Sequence, residues 1–237
     1  MAFQRFARRL FLTVVVAALG LVLYHWGRGH PQDLPWTPLS LAEPVGRFTN
    51  LKIAGLRDDF PACRSVLDAA AEDYDALPPV RGREACGYAD GVALDQAPDF
   101  SYAPRARIAC PVALGLFLWE KQVLQPAAQR HFGQPVVRID NFGSYACRPV
   151  RGGREGRWSE HARANAIDVA GFRLADGRRI GIAADWKGKG PEAAFLHEIR
   201  DGACRMFSTV LSPDYNDLHR DHLHLDQAPR GGWSFCR

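Results

Sequence analysis

What this chain lacks narrows it first. It has no basic stripe with aromatic residues threaded through it, and its formal net charge of +4 is small and sits partly in the N-terminal tail. No nucleic-acid partner is therefore expected. It has no C-x-x-C pair, which argues against thioredoxin-like chemistry and against structural zinc held by thiolates. It has no internal repeat and no low-complexity tract, and a charged fraction of 24% is ordinary for a folded domain. With 47% apolar residues in 237, the chain can bury one sizeable core but not two.

The N-terminus carries a targeting pattern. Arg5, Arg8 and Arg9 precede an uncharged apolar run from Leu10 to Trp26, with Tyr24 and Trp26 at its far end. A bilayer crossing takes about 20 apolar residues, with about 17 at the lower edge. Arginines before the run and aromatics after it suit a helix whose N-terminus stays in the cytoplasm. Tyr24, His25 and Trp26 are too bulky for a small-x-small cleavage site, and no cysteine near the end of the run offers a lipid anchor. An uncleaved signal-anchor is the favoured reading and a cleaved signal peptide the alternative. All six cysteines, Cys63, Cys86, Cys110, Cys147, Cys204 and Cys236, lie beyond the run. An even set of scattered cysteines in an exported chain reads as three disulfides. Sequence leaves the pairing open, with Cys204 a plausible partner for Cys236.

Three segments follow: residues 1–27 as cytoplasmic tail and membrane helix, 28–50 as a tether rich in Pro and Gly, and 51–237 as one folded domain. Within the domain, helices are expected over Asp59 to Asp75, Cys110 to Arg130 and Glu192 to Phe207. In the second of these, Val112, Leu116, Trp119 and Val123 share a side, Pro126 forces a kink or break, and Gly133 is a stop. Strands are expected at Gly91 to Leu94, Val136 to Ile139 and Leu223 to Leu225. A further pair, Ala166 to Phe172 with Ile180 to Ala183, is joined by an Asp176-Gly177 turn. Helices and strands do not alternate, so the expected class is α+β: a small, mainly antiparallel sheet packed with helices.

Residue types that bind metal gather in two places. One is Ser159-Glu-His161-Ala-Arg-Ala-Asn-Ala166-Ile-Asp168; the other is His219-Arg-Asp221-His222-Leu-His224-Leu-Asp226. A catalytic zinc commonly takes three ligands from His, Asp or Glu and leaves a fourth position for water. His161, Asp168 and one histidine of the second cluster would supply that set. On a strand, His222 and His224 project to the same face, so one can bind metal while the other handles protons or substrate.

Two resemblances rest on these residues. The pattern Ser159-x-His161-x(4)-Ala166-x-Asp168, followed by His222-x-His224, is similar to the signature of the zinc peptidases that cut D-amino-acid-containing cell-wall peptides, the D-Ala-D-Ala carboxypeptidases and murein endopeptidases. More closely, the chain resembles the extensin-like C-terminal domain family of bacterial proteins. The matching stretches are Gly143 to Arg148, Ser159 to Ala162, Asn165 to Asp168 and Asp214 to Asp226, within a likeness running from about Cys63 to the C-terminus. The peptidase resemblance implies Zn2+ as cofactor, with His161, Asp168 and His224 as its ligands and a zinc peptidase-like fold. It implies His222 as general base or transition-state stabiliser, His219 as a further active-site histidine, and Arg148 as the binder of a carboxylate or oxyanion. No glutamate stands at the second motif, where many of those peptidases keep their base. Asp226 is placed to orient His224 or His222. The expected function is a zinc-dependent peptidase or amidase acting on peptidoglycan peptides or another cell-wall polymer. The expected place is the periplasmic side of a bacterial inner membrane, with secretion after signal cleavage as the alternative. The competing function is a non-catalytic wall- or polysaccharide-binding module that keeps a structural or vestigial metal site.

Overall fold

The computed structural model describes residues 2–94, 99–150 and 157–237. Helix α1 (Ala2–Gly29) is long and apolar enough to cross a membrane, and none of its apolar window is buried against the rest of the protein. Its length and composition suit a membrane anchor or a signal sequence. The stretch after it, expected as a tether, is fastened along the domain. Leu41 is buried, and Leu39 and Val45 pack against the core. Val45 N–H donates to Gln122 Oε1 at 2.7 Å, and Gln122 Nε2 donates back to Glu43 O at 2.8 Å.

Two short helices follow, α2 (Thr49–Ala54) and α3 (Phe60–Ala69). The helix expected to reach Asp75 stops early: Ala71 turns left-handed at φ 54° and Tyr74 enters a strand. Strands β1 (Tyr74–Ala76), β4 (Gly91–Leu94) and β6 (Arg107–Ala109) form a small antiparallel sheet in the order β1-β4-β6. Strands β2 (Val80–Arg81) and β3 (Gly87–Tyr88) form a separate antiparallel pair, and β5 (Ser101–Ala103) joins the main sheet.

Helix α4 (Cys110–Trp119) is apolar all round and buried on every side, rather than along the single stripe expected from spacing. Its last residue, Trp119, donates its indole N–H to Ile199 O at 2.8 Å. A π-helical turn, Glu120–Leu124, then leads into α5 (Gln125–Phe132). Pro126 explains the turn: it cannot donate to residue 122, so the chain widens and Gln125 N–H reaches Glu120 O instead. Gly133, at φ 63°, ends the helix.

The main sheet takes strands β7 (Val136–Asn141), β8 (Ala166–Leu174), β9 (Arg179–Gly181), β10 (Thr209–Leu211), β11 (Leu223–Asp226) and β12 (Phe235–Cys236). Its order is β12-β10-β11-β8-β7-β5, with β9 pairing β8 beyond the end of β11. Pairing is antiparallel inside the sheet and parallel only at the β5–β7 and β10–β12 edges. The class is thus mixed α+β. Residues Ile182 and Ala183, expected in a strand, open the short helix α6 (Ile182–Asp185), because Asp185 Oδ2 accepts Gly181 N–H at 2.8 Å and curls the chain. Helix α7 (Pro191–Ala203) packs against α5 and the π turn.

Three disulfides staple the layers: Cys63–Cys110 joins α3 to α4, Cys204–Cys236 joins the end of α7 to β12, and Cys86–Cys147 joins the loop before β3 to the loop after β7. On central strand β8, the fully buried ring of Phe172 lies 6.0 Å from that of Trp119 and 5.5 Å from that of Phe195. Phe172→Ala is expected to lower the unfolding free energy by about 3–5 kcal/mol in urea titration. A change below about 0.5 kcal/mol, the size usual for surface positions, would contradict this account of the core.

Candidate metal centre

Backbone pairing brings two of the expected ligands together. The antiparallel register of β8 and β11 sets His224 directly opposite Asp168, so both side chains leave the sheet on one face. The third residue, His161, stands on a 3-10 turn, Glu160–Arg163, capped by the Ser159 hydroxyl and closed by Ala164 in the left-handed region at φ 54°. Asn165 ties this turn to the sheet. Its Nδ2 donates to Glu160 Oε2 at 2.6 Å and to Gln227 O at 2.9 Å. The loop after β7 closes the other side. Phe142 N–H donates to Asp168 O at 2.8 Å, and Gly143, at φ 97°, takes a turn that disfavours any side chain.

Three atoms converge as a result. His161 Nε2 lies 3.2 Å from both Asp168 Oδ1 and His224 Nδ1, and His224 Nδ1 lies 3.0 Å from Asp168 Oδ1. Side-chain exposure is 5% for His161, 12% for Asp168 and 11% for His224, so little water competes for them. The far nitrogen of each ring is occupied. His161 Nδ1 lies 2.6 Å from Ser144 O, and His224 Nε2 lies 3.0 Å from Asp226 Oδ2. A backbone carbonyl and an ionised carboxylate only accept, so each far nitrogen is the N–H. The two inward nitrogens then present lone pairs to each other and to a carboxylate oxygen. Such an arrangement needs a cation, either a proton or a metal ion.

The donor set fits zinc. A tetrahedral zinc with bonds of about 2.0–2.1 Å spaces its ligand atoms about 3.3 Å apart. The spacings here are 3.0, 3.2 and 3.2 Å, from two imidazoles and one carboxylate.

Two more histidines stand at the rim. His222 Nδ1 lies 2.9 Å from Asp221 Oδ1, and His222 Nε2 lies 3.5 Å from Asp168 Oδ1. His219 Nδ1 lies 2.8 Å from Asn216 Oδ1, and its ring centre lies 5.2 Å from that of His222 and 6.0 Å from that of His224. The exposed Phe142 ring meets His222 edge-on at 5.9 Å. Arg148 sits apart. It is exposed, next to the Cys86–Cys147 disulfide, and its backbone bridges Ala146 and Ser159. Among the described residues, no contact joins its guanidinium to His161, Asp168 or His224. Asp226 was legible as an orienting group. Asp221 stands inside the same histidine-rich run and Asn216 three residues before it, where only their nearness to His222 and His219 pointed to them. Ser144 acts through its backbone carbonyl, so no side-chain signal marked it.

Charge in the centre follows from these contacts. Burial alone would raise the Asp168 carboxyl, but its contacts with His161 and His224 overcome it and hold the group below the usual carboxylate range. Burial disfavours the charged form of His224, yet hydrogen bonds to Asp168 and Asp226 outweigh it and push the ring up to about 9. Burial, with His222 and His224 close by, lowers His219 to about 4, so it is neutral at neutral pH. In the metal-free protein, the raised His224 contributes stability that is complete below pH 6.5 and lost as pH rises through about 9. Thermal unfolding in chelator is therefore expected at a lower midpoint at pH 9 than at pH 6.5, and His224→Gln should flatten that decline. An identical slope in the variant would contradict this assignment.

No curated protein and no solved structure matches the chain. A family model described as "Extensin-like protein C-terminus" matches residues 61–237, from within α3 to the end, and so takes in His161, Asp168 and His224. The chain belongs to the extensin-like C-terminal family.

Proposed function

We propose that the domain is a zinc-dependent peptidase or amidase with a zinc peptidase-like fold, acting on peptidoglycan peptides on the periplasmic side of a bacterial inner membrane. One observation carries this reading: the inward atoms of His161, Asp168 and His224 are spaced as zinc ligands, with the far nitrogen of each histidine already held by an acceptor. The chemistry such an ion supplies is Lewis acidity toward water and toward a substrate carbonyl.

The remaining steps belong to the protein's own residues. His222 is held through Nδ1 by Asp221, leaving Nε2 free to take a proton from water and pass it to a leaving amine. This supplies the base that a glutamate provides elsewhere. His219, neutral and held through Nδ1 by Asn216, offers a second basic nitrogen for hydrogen bonding to the substrate. Arg148 is proposed to meet a substrate carboxylate, for which a planar cation on an exposed, disulfide-tied loop is suited.

The test uses the full chain in detergent and a panel of muropeptides. One zinc per chain and hydrolysis are expected, both lost on His161→Ala and hydrolysis lost on chelation. His222→Ala is expected to keep the zinc and lower kcat by about 10²–10⁴. Stoichiometric zinc with no turnover across the panel would overturn the peptidase reading in favour of a binding module.

A further inference from the structure

Helix α1 ends at Gly29, and the chain beyond it stays on the domain. Pro31 O accepts Lys52 Nζ from α2 at 2.9 Å, and the Asp33 carboxylate accepts Arg47 N–H at 2.7 Å. The domain thus grips the chain within four residues of the helix end. Trp26 marks the level of the headgroups if α1 spans the bilayer. An extended residue covers at most about 3.6 Å, so Asp33 stands no more than roughly 14 Å past the helix. The headgroup layer itself is about 5–7 Å deep.

A cleft of about 470 Å³ opens at this place, lined by Asp33, Arg47, Asn50, Arg205, Gly232 and Ser234 among others. Arg47 and Arg205 are exposed, and no side-chain partner of either is found among the described residues. Their one acidic neighbour in the lining, Asp33, is engaged by a backbone N–H. The two most exposed tryptophans of the chain are near neighbours in sequence of residues that line this cleft. Trp36, three residues past Asp33, is 77% exposed, and Trp233, between the lining residues Gly232 and Ser234, is 80% exposed. By contrast, Trp119 and Trp186 are buried. Large indoles left in water beside basic residues match the chemistry of a membrane interface, where the ring meets acyl chains and the cation meets phosphate.

We propose that this face seats the domain on the bilayer that α1 crosses. Trp36 and Trp233 enter the interface, and the cleft between Arg47 and Arg205 takes the phosphate of an anionic phospholipid headgroup. The proposal rests on α1 being kept as an anchor; it is independent of the metal centre. Docking would fix the height and tilt of the domain instead of leaving it to swing.

All six cysteines are in disulfides, so a nitroxide on Pro35→Cys, at an exposed position next to Trp36, labels one site in the full chain and keeps both tryptophans. The chain is placed in lipid nanodiscs, and access of a water-soluble nickel chelate to the label is read by electron paramagnetic resonance. Low access is expected in discs rich in phosphatidylglycerol. A several-fold rise is expected in phosphatidylcholine discs and again on Arg47→Glu with Arg205→Glu, variants whose own side-chain contacts are few. The unmutated lipid comparison stands even if the double variant misfolds. A label open to water in both lipids, on a chain that stays in the disc, overturns the proposal. Equal shielding in both lipids, unmoved by charge reversal, overturns the phosphate site and assigns the face to a protein contact. Failure of the chain to stay in the disc removes the anchor, and the proposal with it, while leaving the metal reading intact.

Discussion

The register between β8 and β11 is the constraint on which the site depends. Asp168 and His224 are cross-strand partners in the middle of the sheet, and the backbone of Asp168 is held on its other side by Phe142 N–H and Gly143 O. His161 is brought to them by a turn that the sheet also holds, through Asn165 and Gln227. The Ser144 carbonyl and the Asp226 carboxylate then fix which nitrogen of each ring carries the proton. Three electron-rich atoms are thus held close together before any ion arrives. A metal ion held by these three residues would have little reorganisation to impose, and its binding would compete with the proton on His224.

Much of this was legible in the sequence, and the rest was hidden for physical reasons. The two histidine-rich stretches stood out because short spacing places ligands on one turn or one strand face. Their convergence is a long-range event, set by a strand register that no local pattern encodes. The contact from Ser144 goes through a carbonyl every residue possesses. The class was readable from irregular alternation of helix and strand. The short strands β1, β2, β3, β5, β6, β10 and β12 were not, because two or three residues carry no usable alternation. Helix α4 was expected to show one apolar side; its neighbours cover it all round, and only its uniform apolar content hinted at that. The Pro126 break was legible because proline's missing donor acts locally. Ile182 and Ala183 looked like strand by residue type, but the Asp185 side chain decided the matter through one hydrogen bond.

The N-terminal part changes the picture of how such a centre is presented. Pro and Gly content suggested a loose tether, yet Leu41, Val45 and Lys52 bind that stretch to the domain. A strap of this kind couples the orientation of the domain to that of α1.

The most direct measurement is an anomalous-scattering structure of the full chain loaded with zinc. The expected result is one ion bound by His161 Nε2, His224 Nδ1 and Asp168 Oδ1, each at about 2.0–2.2 Å. An ion ligated elsewhere, or a loaded crystal in which His161 stays outside the coordination shell, would contradict the account.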